Sequence, residues 1–300
     1  MEEFKQIRME NRLNNSHRGE EKKLNRIIDA YQKLQGKYKP YLDTKQSIFW
    51  NAEHFNLHKS SLFRQASNEQ QCLILEKCSK NLLRESYFVE KSAFAYCAKM
   101  MLLAETTEIA QVYSMIANEE AIHLEWITPY IDIEERHRPE GEFFRFLSYL
   151  IEECDCNLLP YLVQIILEGW GIHHYKSLAK GCQNERLKSV FLDIVRDEAL
   201  HQHTGEVVFN ARQASSAQHF FIEESLKMFA QMGQAGPLDL LSAVDEVMGG
   251  ISQVDRATLL KEIVARDGAM EKLALLKNLM IQPGVESIVQ KIDDEGYFSV

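Results

Sequence analysis

Two copies of one short motif hold the residues of this sequence that are best suited to chemistry. Glu120 precedes His123 by three positions, and Glu198 precedes His201 by three positions. Three residues make nearly one turn of an α-helix, so the glutamate and the histidine of each motif are neighbours on one helical face. A carboxylate and an imidazole that share a face are a pair of ligands suited to iron or manganese.

A further glutamate stands before each motif at the same distance. Glu90 precedes Glu120 by 30 positions, and Glu168 precedes Glu198 by 30 positions. The second set of residues therefore repeats the first set after 78 positions. Four carboxylates and two imidazoles that face inward from four helices are the ligand set of a dinuclear iron or manganese site in a helical bundle.

Two other stretches compete with these candidates. Glu85 lies near Glu90, but its counterpart 78 positions later is Val163, so the repeat decides against it. A third Glu-x-x-His stretch, Glu134 to His137, stands in a polar run without an apolar face, and we interpret it as surface. The alternative to a metal site is a set of incidental buried ion pairs. Six ionisable groups facing a core would then be very costly without a metal.

Composition and charge limit the class of protein. Of the 300 residues 45% are hydrophobic, which is enough for a full core, and strand-like alternation is nearly absent, so we expect an all-α protein. The net charge of −10 argues against a nucleic-acid partner. Scattered cysteines without CxxC spacing, a charged N-terminus and the lack of long apolar runs predict a cytoplasmic protein with no membrane partner.

Capping residues and helix breakers predict the elements that position the candidate ligands. We expect ligand helices over about 68–104, 106–127, 157–179 and 184–212, with a short connecting helix over 140–154. The whole chain, 1–300, is predicted to be a single all-α domain whose metal-binding core covers about 68–212. We place a polar helix before this core at 2–37. Accessory helices follow it within 213–300, at 217–232, 238–248, 255–277 and 284–292.

With these residues in place, the chain resembles the ferritin-like di-iron carboxylate superfamily over residues 70–212. The resemblance implies a ferritin-like four-helix bundle with a long crossover, to which extra N- and C-terminal helices are added. It implies two iron ions, or a manganese–iron pair, with O2 as co-substrate. The implied ligand roles are bridging for Glu120 and Glu198, terminal or bridging for Glu90 and Glu168, and terminal nitrogen for His123 and His201.

The resemblance also concerns the residues around the ligands. Glu119 and Asp197 directly precede the motif glutamates, and the resemblance implies that they accept hydrogen bonds from the histidine ligands. Simple exposure to solvent is the alternative for both. Further candidates share the ligand faces or lie close to them: Phe94, Cys97, Gly171 and Ile172 for a substrate pocket, and Tyr113 and Tyr175 beside the ligands.

Two glycines flank Trp170 in the middle of the third ligand helix. Gly169 and Gly171 each cost about 1 kcal/mol relative to alanine in a helix, so a reason for their presence is needed. They leave space for a substrate or permit a π-bulge. Close packing of helices is the alternative.

We therefore expect a non-haem di-iron oxygenase or oxidase that activates O2 to oxidise a small organic substrate, with specialised metabolism as one setting. An external electron donor and a homodimer are further expectations. The alternatives are an iron-handling or peroxide-scavenging ferritin-like protein, a tRNA-modifying di-iron hydroxylase, and a radical-generating subunit. The spacing is also similar to that of 4-aminobenzoate N-oxygenase-like enzymes, but these have an additional histidine where this chain has Ile194, which puts N-oxygenation in doubt.

Overall fold

A computed structural model describes residues 22–37, 39, 46–132, 141–209, 215–234, 237–264 and 266–299. In these ranges the regular structure is helical, and the β-pairing is limited to an isolated bridge between Trp50 and Cys182. The prediction of an all-α protein is therefore confirmed for this part of the chain. Within the same ranges, no helix combines the length and the apolar character that crossing a lipid bilayer requires.

The chain divides into two compact units. The first unit consists of Met1–Lys45 and Leu82–Cys156, and the second consists of Gln46–Asn81 and Asn157–Val300. Helix α3 (Asn68–Leu103) contributes residues to both units. The first set of candidate ligands belongs to the first unit, and the second set belongs to the second unit. The prediction of a single domain over the whole chain stays a prediction.

In the first unit, helices α1 (Lys22–Leu34), α4 (Thr107–Ile127) and α5 (Glu142–Glu153) accompany the later part of α3. The hydroxyl of Thr106 accepts a hydrogen bond from the backbone N–H of Ile109 and caps α4 at the predicted start. The ammonium of Lys99 donates to the carbonyl oxygens of Ile151, Glu152 and Cys154 at 2.7, 3.1 and 2.8 Å. Since the last carbonyls of a helix have no partner within it, Lys99 ties the end of α5 to α3.

In the second unit, a short helix α2 (Ser61–Gln65) precedes α3, whose start is a capping box between Ser67 and Gln70. The third ligand helix consists of a π-helical segment, Pro160–Glu168, followed by α6 (Gly169–Gly181). The side chain of Asn184 caps α7 (Glu185–Val208), the fourth ligand helix. The remaining helices are α8 (Ser216–Gln234), α9 (Leu238–Val247), α10 (Gln253–Ile263), α11 (Arg266–Met280) and α12 (Glu286–Asp294).

The C-terminal helices pack within the second unit. Leu240, Leu241 and Val244 of α9 and Leu259 of α10 join a buried apolar cluster with residues of α2 and α3. The hydroxyl of Tyr161 donates to the carbonyl oxygen of Met280 at 2.6 Å, which ties the π-helical segment to the end of α11. The accessory helices therefore support the segment that presents Glu168.

Several predicted boundaries differ from the structure. The predicted helix over 255–277 is two helices, because Val264 has an extended backbone between α10 and α11. Helix α8 ends at Gln234 rather than at 232; a side chain at Gly233 would lie 3.1 Å from Leu273, so this glycine permits close packing on α11. The fourth ligand helix ends at Val208 rather than at 212. Residues 2–21 and 210–214 lie outside the described ranges.

Candidate metal centre

The first group of candidate ligands lies on α3 and α4. The Nδ1 atom of His123 is 3.6 Å from Oε2 of Glu120 and 3.1 Å from Oε2 of Glu90. One ligand atom from each of the three residues lies within 4.8 Å of the other two. Glu90 is 1% exposed, and the other two are 0% exposed. The first unit therefore brings two carboxylates and an imidazole together in its interior.

The second group repeats this arrangement in the second unit. The Nδ1 atom of His201 is 3.6 Å from Oε2 of Glu198, the same separation as in the first motif. Ligand atoms of Glu168, Glu198 and His201 all lie within 4.8 Å of one another, and all three side chains are buried. The repeat of 78 positions in the sequence is thus a repeat of local geometry.

Each group fits a metal ion. Two carboxylate oxygens and an imidazole nitrogen are donors that iron and manganese accept, and three protein donors leave coordination positions open. A buried carboxylate without a compensating cation loses much of its hydration free energy, so a bound cation would stabilise each group. The two groups could therefore each hold a metal ion. Their joint assignment as the ligands of one dinuclear centre stays a prediction, as does the identity of the metal.

The π-helical segment determines how Glu168 is presented. Glu168 is the last residue of this segment, and its own backbone is already α-helical where α6 begins. A π-bulge is one of the roles that the sequence suggests for Gly169 and Gly171, whereas the structure has a π-helical segment in the nine residues before them. A π-helical segment leaves some carbonyl groups without their usual i−4 partners, so other groups must bind them.

The two glycines that flank Trp170 have different surroundings. A Cβ atom on Gly169 would lie 2.6 Å from Nε2 of Gln202 and 2.7 Å from Cδ2 of Leu279, so this glycine permits close packing. A Cβ atom on Gly171 would have no neighbour within 4 Å among the described residues. The alternative of close packing thus applies to Gly169, and open space lies beside Gly171.

A pair of glutamines next to the second group was missed by the sequence reasoning. The amide of Gln164, 0% exposed, donates to the backbone carbonyl of His201 at 3.1 Å. The amide of Gln202 donates to the backbone carbonyl of Ile165 at 3.4 Å. A signal was present, because Gln164 interrupts an otherwise apolar and aromatic run from Leu158 to Leu167. An isolated amide in such a run indicates a specific hydrogen-bond partner.

The predicted neighbours in the first unit have different degrees of burial. Tyr113 is fully buried, and its hydroxyl lies 3.2 Å from the hydroxyl of Tyr96, which the sequence reasoning did not single out. Cys97 is also fully buried, whereas Phe94 is 43% exposed. Phe94 therefore has one side open to solvent, and only Cys97 and Tyr113 belong to the interior. Their roles near the ligands stay predictions.

In the second unit, Ile172 and Tyr175 are buried, and the ring of Tyr175 stacks on Phe191 with 5.6 Å between ring centroids. The residues that precede the motif glutamates are only partly buried: Glu119 is half-buried, and Arg196 donates to Oδ1 of Asp197 at 3.3 Å. Hydrogen bonding of this acidic pair to the histidine ligands stays a prediction.

A lysine follows Glu90, the first candidate ligand. Lys91 is only 7% exposed, and burial lowers the pKa of its ammonium to about 8. Its counterpart 78 positions later is Gly169, so the repeat does not extend to this position. The third Glu-x-x-His stretch, Glu134 to His137, lies outside the described residues.

None of the protein-family models, curated proteins or solved structures compared with this chain matches it. Assignment of a function therefore depends on the residues of the two groups and on their surroundings.

Proposed function

We propose that this protein is a non-haem di-iron oxygenase or oxidase that uses O2 to oxidise a small organic substrate. The observation that supports the proposal is the repeated, buried arrangement of two carboxylates and one imidazole, with the same Glu–His separation of 3.6 Å in both motifs. Incidental ion pairs would not be expected to repeat in both sequence and geometry.

Each group has a defined task in this proposal. Glu90, Glu120 and His123 hold one ion, and Glu168, Glu198 and His201 hold the second ion; the pairing of both ions into one centre is taken from the sequence pattern. When bound, the two ions supply O2 activation with electrons from an external donor or from the substrate. Four carboxylates carry the negative charge that two divalent cations require, while the histidines can bind as neutral imidazoles.

The residues that follow Glu168 on the same helix favour an organic substrate over an inorganic one. Ile172 and Tyr175 are apolar or aromatic and buried on the helix that carries Glu168, and Gly171 leaves open space on the same helix. Apolar lining orients a substrate by shape and excludes water from the reacting atoms. The proposed role of this helix is therefore to bind an organic molecule next to the ligands.

The direct experiment combines metal loading with oxygen uptake. The purified chain is loaded with ferrous iron without oxygen, its bound iron is measured, and oxygen consumption is followed with candidate substrates. We expect two iron ions per chain and oxygen uptake that substrates accelerate. Ferrous oxidation that proceeds without any substrate and accumulates iron would support the iron-handling alternative instead.

A matched set of variants separates ligands from other residues. Glu120→Ala and His201→Ala are expected to lose bound iron, since each removes one of the three proposed ligands of its group. His203→Ala is the control, because His203 lies on the same helix as His201 but is exposed and paired with Glu206 at 3.3 Å. Retention of two ions per chain by both ligand variants would refute the proposal.

A further inference from the structure

We propose that Gln164 is a positioning residue for the metal ligands of the second group. Its side chain would hold the π-helical segment and α7 in the one register that lets Glu168 and His201 bind the same ion. This inference depends on the proposed function, because it concerns residues that support the proposed ligands.

Gln164 makes a hydrogen bond to a candidate ligand residue. Its amide donates to the backbone carbonyl of His201, so it binds the main chain of a candidate ligand. Gln164 itself lies within the π-helical segment, four residues before Glu168. One buried side chain thus links the backbone of one ligand residue to the segment that ends on another ligand.

A second hydrogen bond runs in the opposite direction, from α7 to the π-helical segment. Gln202, the residue after His201, donates its amide to the carbonyl of Ile165, the residue after Gln164. The Gln202 side chain lies where a side chain on residue 169 would be, since a Cβ atom on Gly169 would be 2.6 Å from its Nε2. The absence of a side chain at the residue after Glu168 therefore makes room for this second amide.

Helix α7 and the π-helical segment lie very close to each other. A Cβ atom on Gly205 would lie 2.6 Å from Cβ of Gln164 and 3.1 Å from the carbonyl oxygen of Pro160. Helix α7 therefore approaches the π-helical segment closely at Gly205, one turn after His201. Gly205 permits the approach, while the two amides fix its position along the helix axis.

A metal site accepts only small displacements of its ligand atoms. A slip of one residue along a helix moves a side chain by about 1.5 Å and rotates it by about 100°. Coordination distances tolerate only about 0.2 Å. Loss of a buried amide that fixes the register should therefore disturb a metal site more than ordinary packing, because neighbouring side chains in a core can shift to fill the space.

The test replaces Gln164 with methionine, which keeps the length of the side chain and removes the donor. Gln234→Met is the matched control in the same unit, since the amide of Gln234 also donates to backbone carbonyls, those of Tyr297 and Ser299 at 2.8 and 2.9 Å. Both variants and the wild-type chain are titrated with Co²⁺, whose visible absorption reports its ligands. The melting temperature of each metal-free chain is measured in parallel.

We expect Gln164→Met to bind Co²⁺ roughly 10- to 100-fold more weakly than the wild-type chain, with an altered absorption band, and Gln234→Met to bind it normally. If Gln164→Met does not fold, Gln164→Asn is used, because it keeps a buried amide but is one methylene shorter and cannot reach the carbonyl of His201. Normal Co²⁺ affinity and an unchanged absorption band in the folded variant would overturn the inference. Failure of the wild-type chain to bind metal would instead overturn the proposed function.

Discussion

The Nδ1 atom of His123 lies 3.1 Å from Oε2 of Glu90, although 33 positions separate the two residues in the sequence. They belong to different helices, α4 and α3, and both are almost completely buried. Packing of the two helices therefore places the lone glutamate beside the first Glu-x-x-His motif. In the proposed metal site, this packing would order the carboxylate and the imidazole before an ion binds, which would reduce the free-energy cost of binding.

Neutralisation of Glu90 is expected to have opposite effects on the metal-free and the metal-bound protein. Glu90→Gln removes a buried negative charge but keeps an oxygen acceptor for His123, so the metal-free chain should become more stable, by on the order of 1 kcal/mol. The stabilisation that ferrous iron provides should become smaller, because a charged ligand is lost. Thermal unfolding with and without iron measures both. Glu105→Gln, at an exposed position between α3 and α4, is the control, and equal responses of the two variants would contradict this prediction.

Alanine at the two glycines beside Trp170 should change stability in opposite directions. Gly171→Ala meets no neighbour within 4 Å and raises helix propensity, so it should stabilise the protein by up to about 1 kcal/mol. Gly169→Ala would displace the side-chain ends of Gln202 and Leu279 and with them the hydrogen bond from Gln202 to Ile165, so it should destabilise the protein by about 1 kcal/mol. Chemical denaturation of both variants measures the difference. Equal stability of the Gly169→Ala and Gly171→Ala variants would contradict the close packing at Gly169.

A large side chain at Gly171 should separate binding of metal from turnover. Gly171→Leu fills the open space on the helix that carries Glu168, so we expect loss of substrate turnover with two iron ions retained. Gly171→Ala serves as the control of small volume and should keep most of the activity. Metal analysis and substrate-dependent oxygen uptake are the measurements. Unchanged turnover in the leucine variant would show that this space does not receive substrate.

Removal of the Lys99 ammonium should weaken the end of α5. Lys99→Met deletes three hydrogen bonds to carbonyl oxygens, and we expect a loss of roughly 1.5–3 kcal/mol. Hydrogen exchange of the α5 amides measures the effect locally. Lys188→Met is the control, because Lys188 forms only an exposed pair with Glu185 at 3.5 Å, and it should cost less than about 1 kcal/mol. Similar exchange in α5 for both variants would contradict the account.

The stability of the second unit should fall with acidity through His54. Burial, and then the nearby charges of His174 and Lys272, lower the pKa of His54 from 6.5 to about 4. The unfolded chain therefore binds the proton more tightly, so stability is full above pH 6.5 and falls as the pH decreases from 6.5 to 4. His54→Gln should reduce this dependence, and the exposed His203→Gln should not. Melting temperatures across this pH range test it; an unchanged slope in His54→Gln would contradict it.

The sequence was informative where a periodic pattern coincided with a cap or a breaker. The starts of α3, α4 and α7 were predicted because Ser67, Thr106 and Asn184 are strong N-capping residues, and the side chains do cap these helices. The glutamate and histidine of each motif come together because their spacing is local to one helix. Such features depend on neighbours in the sequence and can be read from it.

Features that depend on distant contacts were not predicted. The π-helical segment is bound by Gln202 of α7 and Met280 of α11, and these contacts join residues far apart in the sequence. The close approach of Leu273 to Gly233 is a contact between two helices, which the local sequence does not reveal. The division of 255–277 into α10 and α11 was also missed, because an apolar pattern continues through the break at Val264. Tertiary packing decides such cases.

X-ray diffraction from crystals of the iron-loaded protein, with anomalous data collected at the iron absorption edge, tests the central claim most directly. The account predicts two anomalous peaks about 3.5–4 Å apart, one contacted by Glu90 and His123 and the other by Glu168 and His201. Absence of both peaks, or two ions at well-separated positions, would contradict the claim that the two groups form one dinuclear centre.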